Sequence, residues 1–344
     1  MGRQALSKIP VIDFSSEDLK PGTSSWLSTR KAVCHALEEQ GCFVAEVGNK
    51  ISLEHHNKIF GTIGELFELP TETKMQNTHD KPYRGYINVR SVHESMGIDN
   101  ATSLEDTQKF TNLMWPNGND HFCESADLYA KIMAELDQTV TRMVFENYSV
   151  EKYYDSNIAS TGYVVRFGKY KEHQNYDSKK GFPAHTDKSF TSIVQQYHAN
   201  TLEVQTRDGE WAGFDSTPSS FVYMVGDAFQ WLGYVNGSSS SLLKPSEALD
   251  PSWRSFHGTE LGSDLEQAWS NDRLRPGKHR IMMNGKKTIH FLALFTFNEG
   301  TIHVPEELVD EEHPLQYKPF DHIEYVRSEK GHGTENPIKV YCGV

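Results

Sequence analysis

Residues 185–187 read His185-Thr186-Asp187. On an extended strand, residues i and i+2 face the same side, so this imidazole and this carboxylate can grip one ion together. A distant histidine would complete a facial triad of two histidines and one carboxylate, which leaves three positions open on iron(II). Those positions admit O2 and a bidentate cosubstrate side by side. Spacing alone does not single the motif out. With 16 histidines and 47 acidic residues in 344, about two His-x-Asp/Glu triplets arise by chance, and two occur. The second, His322-Ile323-Glu324, reads as an exposed helix start rather than a ligand pair.

The elements around the first motif are strands. Tyr163-Val164-Val165-Arg166-Phe167, Phe190–Val194, Leu202–Gln205, Phe221–Val225 and Ile289–Phe295 are short apolar runs, often separated by glycine, asparagine, aspartate or proline. That punctuation predicts a β-barrel or sandwich. The front of the chain is different. Ile9–Phe14 predicts an edge strand bearing Pro10, and Trp26, Val33, Ala36 and Leu37 predict a helix over 25–40. Gly41 suits its C-cap, and 42–47 predicts a second strand. Leu128, Ile132, Leu136, Val140, Met143 and Val144 predict a long amphipathic helix over 125–148. Residues 231–267, with four consecutive serines and no periodicity, are an insertion candidate, because structureless loops of that length are uncommon inside a compact domain.

Composition narrows the partners. Lys+Arg 34 against Asp+Glu 47 gives a net charge of −13, which disfavours nucleic acid and anionic membranes as partners. Four irregularly spaced cysteines make neither a disulfide framework nor a zinc ribbon. No apolar run approaches the roughly 20 residues of a membrane span, and the start lacks the apolar core of a secretory leader. The expectation is a cytoplasmic monomer acting on a small molecule and O2.

His185-x-Asp187, the later Pro276-Gly277-Lys278-His279-Arg280 and Gly226-Asp227 between them resemble plant iron(II)/2-oxoglutarate-dependent dioxygenases. Ile9–Phe14, Ala36–Phe43, Phe110–Pro116 and Pro305–Pro314 are similar to other parts of that family. The likeness covers nearly the whole chain outside 231–267. It is strongest to the branch holding the glucosinolate side-chain dioxygenases and deoxypodophyllotoxin synthase. It implies an α+β chain: an N-terminal mixed region over 1–155 packed on a double-stranded β-helix (jelly-roll) core over 156–344. It also implies Fe(II) held by His185, Asp187 and His279, with 2-oxoglutarate as cosubstrate. Asp187 and His279 stand 92 residues apart, where the family shows roughly 50–60; removing 231–267 leaves 55. The segment is either a surface loop or translated sequence that a functional transcript would lack. With Asp187 present, halogenation is disfavoured, since the family's halogenases carry a small residue there. Hydroxylation, desaturation, dealkylation and ring closure remain.

One part of the pattern is broken. The family holds the far carboxylate of 2-oxoglutarate with an Arg-x-Ser pair ten and twelve residues after the distal histidine, a bidentate fork plus a hydroxyl. Here those positions are Ile289 and Phe291. Lys287, on the same strand face as Ile289, and Lys169, where many members carry a tyrosine, are candidate sources of compensating charge, or else solvated strand-end lysines. His290 is expected to pack on the opposite face. Tyr163, Phe167 and Phe295 are candidates for an aromatic substrate pocket, although strand aromatics are more often core. The broken clamp leaves two further readings: an iron oxidase independent of 2-oxoglutarate, drawing electrons from substrate or ascorbate, and a silent paralogue that keeps only the fold.

Overall fold

The computed structural model describes residues 9–89, 93–171, 180–197, 201–228, 231–232, 270–283, 288–330 and 337–344. In chain order, the front region holds β1 (Val11–Asp13), α1 (Ser24–Glu39), β2 (Cys42–Glu46), α2 (Leu53–Glu68), α3 (Thr71–Lys74), β3 (Ile87–Val89), β4 (His93–Ile98), α4 (Leu104–Met114), α5 (Asp120–Asn147) and α6 (Tyr154–Ser160). Strands dominate the rest of the chain: β5 (Thr161–Tyr170), β6 (Lys180–His185), β7 (Thr191–Gln196), β8 (Leu202–Gln205), β9 (Trp211–Gly213), β10 (Ser220–Val225), β11 (Trp231–Leu232), β12 (His279–Met282), β13 (Ile289–Asn298), β14 (Thr301–His303) and β15 (Phe320–Asp321). Two short helices, α7 (His322–Arg327) and α8 (Pro337–Cys342), close the chain.

Eight strands form one sheet in the order β1-β2-β10-β7-β13-β5-β4-β3. A second sheet, β6-β12-β8-β9, faces it, and β11-β14-β15 form a third. This is the expected jelly-roll core, with helices on the outer face of the large sheet. The front of the chain supplies four strands of that sheet, two at each edge, so the helical region and the core share one set of ladders. β1 lies at an edge, where Pro10 costs no ladder bond. Gly41 follows α1 with φ +69° and donates to Leu37 O, a left-handed cap that suits glycine.

Each face of the large sheet buries its own core. Outward, Phe43, Tyr223, Ile193, Leu292, Leu294, Val165 and Phe167 pack with the stripe Tyr129, Met133, Leu136, Val140 and Met143 of α5. Inward, Val222, Met224, Ile289 and Tyr170 meet Phe182, Leu202, Val204 and Ile281 from the small sheet. At about 1.5–3 kcal/mol per fully buried large apolar side chain, both layers matter to stability.

His322 corrects an expectation. It does start a helix, capped by Asp321, but it is fully buried rather than exposed. Its Nδ1 accepts from Asn298 N–H at 3.1 Å, so its Nε2–H donates to Lys188 O at 2.9 Å. Of the insertion candidate 231–267, only Trp231–Leu232 lies among the described residues, as β11 paired with β14.

Candidate active site

β6 ends at His185, and β12 begins with His279 directly opposite it in the ladder. Asp187 follows two residues after the strand. The three side chains converge: one ligand atom from each lies within 4.8 Å of the others. His185 Nε2 is 3.6 Å from Asp187 Oδ1, and His279 Nε2 is 3.9 Å from Oδ2. Each imidazole is oriented from behind. His185 Nδ1 lies 3.0 Å from Pro183 O, and His279 Nδ1 lies 2.9 Å from Gly277 O. A carbonyl can only accept, so both Nδ1 atoms carry the proton and both Nε2 lone pairs face the centre. Ser192 donates to Asp187 Oδ2 at 2.6 Å and fixes the carboxylate.

The protonation states match. Burial and the neighbouring His185 push the His279 imidazole down to about 4. Burial works to raise Asp187, but His279, His185 and the Ser192 bond outweigh it and leave the carboxyl at about 2. At neutral pH the centre therefore offers a carboxylate and an unprotonated His279, the donor set that suits iron(II).

The loop carrying Asp187 is braced by the two residues that follow β10. Asp227 N donates to Asp187 O at 2.7 Å, and Asp227 itself accepts from Tyr325 OH at 3.0 Å. Gly226 sits so close that an added Cβ would lie 2.9 Å from Asp187 O and nearer still to Ser189 O. Only glycine fits there. That is the physical content of Gly226-Asp227 in this sequence.

A cavity opens above the triad between the two sheets. Its walls include Phe182, Leu202, Ile281, Val194, Phe291 and Phe295, with His93, Ser95, Arg166, Tyr170 and Gln196 among its polar members. Phe295 lines this cavity. Tyr163 and Phe167 are not: both point outward from β5, Tyr163 toward Asp137 and Phe167 onto Phe110 and Phe122.

The cosubstrate candidates divide in the same way. Ile289 is buried in the inner core beside Tyr170, and Phe291 lines the cavity. Phe291 lies opposite Gly168, where an added Cβ would stand 3.1 Å from ring carbon Cδ1 and closer to Cε1 and Cζ. The ring fills the space that a side chain at 168 would take. Lys169 faces the helices. Its Nζ donates to Phe67 O at 3.2 Å, sits 5.2 Å over the Phe67 ring and lies 3.8 Å from both Glu68 and Glu94. Its ammonium is engaged on the far side of the sheet, so it supplies no charge to the cavity. Lys287 lies outside the described residues. His290 stacks on Phe67, on the outer face.

A model of the non-haem dioxygenase N-terminal region, described as belonging to morphine synthesis, matches residues 9–129, and a model of the 2OG-Fe(II) oxygenase superfamily matches 157–236. An Arabidopsis thaliana protein named probable 2-oxoglutarate-dependent dioxygenase AOP1.2 is 35% identical over 346 residues, covering 97% of this chain and 96% of its own length. The chain belongs to the iron(II)- and 2-oxoglutarate-dependent dioxygenase family. Another Arabidopsis relative of the dioxygenase, 28% identical over 428 residues and covering 98% of each chain, is named probable inactive 2-oxoglutarate-dependent dioxygenase AOP2. The fold is shared with the crystal structure of rice dioxygenase for auxin oxidation, at TM-score 0.73 and 23% identity, covering 98% of this chain and 100% of that one. The superfamily match ends at residue 236, inside the 231–267 segment.

Arg166 lines the cavity and no motif reaches it, although the sequence carries a signal for it. A lone cation inside Val164-Val165-Arg166-Phe167 marks a buried charge, and buried charges cluster at sites. His93 and Ser95 carry no comparable mark.

Proposed function

We propose that this chain oxidises a small plant specialised metabolite, with Fe(II) held by His185, Asp187 and His279 and 2-oxoglutarate as cosubstrate. Hydroxylation, desaturation, dealkylation and ring closure are the reaction types. The observation that carries the reading is the convergence of two oriented imidazoles and one carboxylate beneath an apolar cavity. When bound, iron and 2-oxoglutarate supply the oxidising chemistry by coupling reduction of O2 to decarboxylation of the keto acid.

The chain's own residues do the rest. Gly277 O and Pro183 O hold the imidazole tautomers, and Ser192 holds the carboxylate. Phe182, Leu202, Ile281, Phe291 and Phe295 keep the space above the triad apolar, which excludes water and strengthens each polar contact made there. An apolar cavity with few polar groups suits a small organic substrate.

The net charge of −13 supports a reading without nucleic acid, and four buried free thiols support a reducing, cytoplasmic setting. A monomer completes the proposal. No described helix is long and apolar enough to cross a membrane. The test is Fe(II)-dependent formation of succinate from 2-oxoglutarate, measured with O2 uptake across a panel of plant metabolites. Substrate-stimulated succinate supports the reading. An iron-loaded protein that consumes neither O2 nor 2-oxoglutarate with any of them contradicts it.

A further inference from the structure

β13 carries no donor at 289 or 291, yet the cavity holds an arginine and a serine bonded to each other on the neighbouring strands. Arg166 Nη2 donates to Ser95 Oγ at 2.6 Å. The registers of β13, β5 and β4 align three rows across the sheet: Ile289–Tyr170–His93, Phe291–Gly168–Ser95 and Ala293–Arg166–Gly97. Residues two apart share a face, so these rows line one wall. On β4 and β5 that wall carries His93, Ser95 and Arg166, within the same cavity as the metal triad.

The guanidinium is built in rather than trailing. Arg166 is 3% exposed, and its Nη1 donates to Tyr83 O. Tyr83 adopts φ +68°, a left-handed conformation that is costly for an aromatic residue and is kept where surroundings impose it, often at ligand clamps. The ring of Tyr83 packs on Phe295, another cavity residue. The Nδ1 of His93 is buried without a hydrogen-bond partner among the described residues, so the wall is not saturated internally. A positioned guanidinium in a mostly apolar cavity is suited to a planar anion, which it meets with two parallel hydrogen bonds.

We propose that Arg166, positioned by Ser95 and Tyr83 O, is the carboxylate-binding residue of this cavity. The carboxylate is either the distal group of 2-oxoglutarate or that of an acidic substrate, and the first source rests on the function proposed above. The test is calorimetry on the full chain, anaerobic and Fe(II)-loaded, with 2-oxoglutarate, 2-oxovalerate (a keto acid of the same length without the distal carboxylate), phenylacetate and phenylacetamide.

If the cosubstrate is the source, wild type prefers 2-oxoglutarate over 2-oxovalerate by at least about tenfold, and Arg166→Gln removes that preference. If a substrate is the source, 2-oxoglutarate affinity is unchanged in Arg166→Gln. Phenylacetate then binds the loaded wild type better than phenylacetamide and loses that advantage in the variant. Arg166→Lys, which keeps the charge without the fork, and Ser95→Ala should each weaken the same ligand several-fold. They read the proposal even where Arg166→Gln fails to fold. Carboxylate affinities that are absent, or the same in wild type and in every folded variant, overturn it. Failure of 2-oxoglutarate to bind wild type, with phenylacetate still Arg166-dependent, would instead sink the cosubstrate reading and keep the subsite.

Discussion

Gly168→Ala tests directly whether the Phe291 ring lies over Gly168 on the cavity wall. A Cβ at 168 would stand 3.1 Å from Phe291 Cδ1 and closer to Cε1 and Cζ, against an optimal carbon separation of about 3.5–4.0 Å. The ring must move. Overpacking of this kind costs about 1–3 kcal/mol. Gly168 has no left-handed backbone to strain, so the alanine regains about 0.4–1 kcal/mol through the unfolded chain. The net expectation is a loss of about 0.5–2 kcal/mol in urea unfolding. Phe291→Ala alone should cost about 2–3 kcal/mol, below the about 3–5 of a fully buried phenylalanine, because part of the ring borders the cavity. In the double variant the clash vanishes, so Gly168→Ala should become neutral or stabilising. The cycle predicts a coupling of about 1–3 kcal/mol. Additivity within about 0.5 kcal/mol would refute the reasoning and mean that the ring lies elsewhere.

Ser192→Ala removes the bond that fixes Asp187 and should weaken iron binding by about 10–100-fold, read by competition with a chelator; unchanged affinity would contradict the positioning role. Glu94 is buried beside Lys74 at 2.8 Å, Lys171 at 3.2 Å and Lys169 at 3.8 Å, so Glu94→Ala strands buried ammonium groups and should cost about 3–5 kcal/mol of stability. Asp137, on α5, accepts from Thr191 at 2.6 Å and Tyr223 at 3.2 Å, and burial lifts its carboxyl from 3.8 to about 6. The native state keeps a proton that the unfolded chain releases. That contribution is therefore full below pH 3.8 and is lost as pH rises through 6. Two units amount to about 3 kcal/mol, so Asp137→Asn should gain about that much on wild type between pH 4 and pH 7 in denaturation curves. A difference independent of pH would count against it.

Much of the site was legible because its chemistry is local. His185 and Asp187 sit two apart, and the family pattern supplied His279, which the ladder places opposite His185. The helices over 25–40 and 125–148 were legible because each buries one stripe and exposes the other, and α1 and α5 fall there. The phase of β5 was not legible. Its Tyr163–Tyr170 stretch is buried on both faces, so no polar alternation tells which residues look inward. It also carries a cation of each parity, Arg166 and Lys169, and only the helix layer with Glu94 on one side decides between them. With Lys169 expected inward, Tyr163 and Phe167 fall on the wrong wall as well. The burial of His322 depends on Lys188 and Asn298, partners 134 and 24 residues away, which no local pattern announces.

The central claim is that this chain binds 2-oxoglutarate on iron despite Ile289 and Phe291. The most direct measurement is an anaerobic titration of the Fe(II)-loaded protein with 2-oxoglutarate, followed by the visible charge-transfer absorption of a keto acid chelating iron. A saturable band in wild type, absent in His279→Ala, is the predicted result. No band with iron stoichiometrically bound would contradict the account and leave a jelly-roll metal site without this cosubstrate.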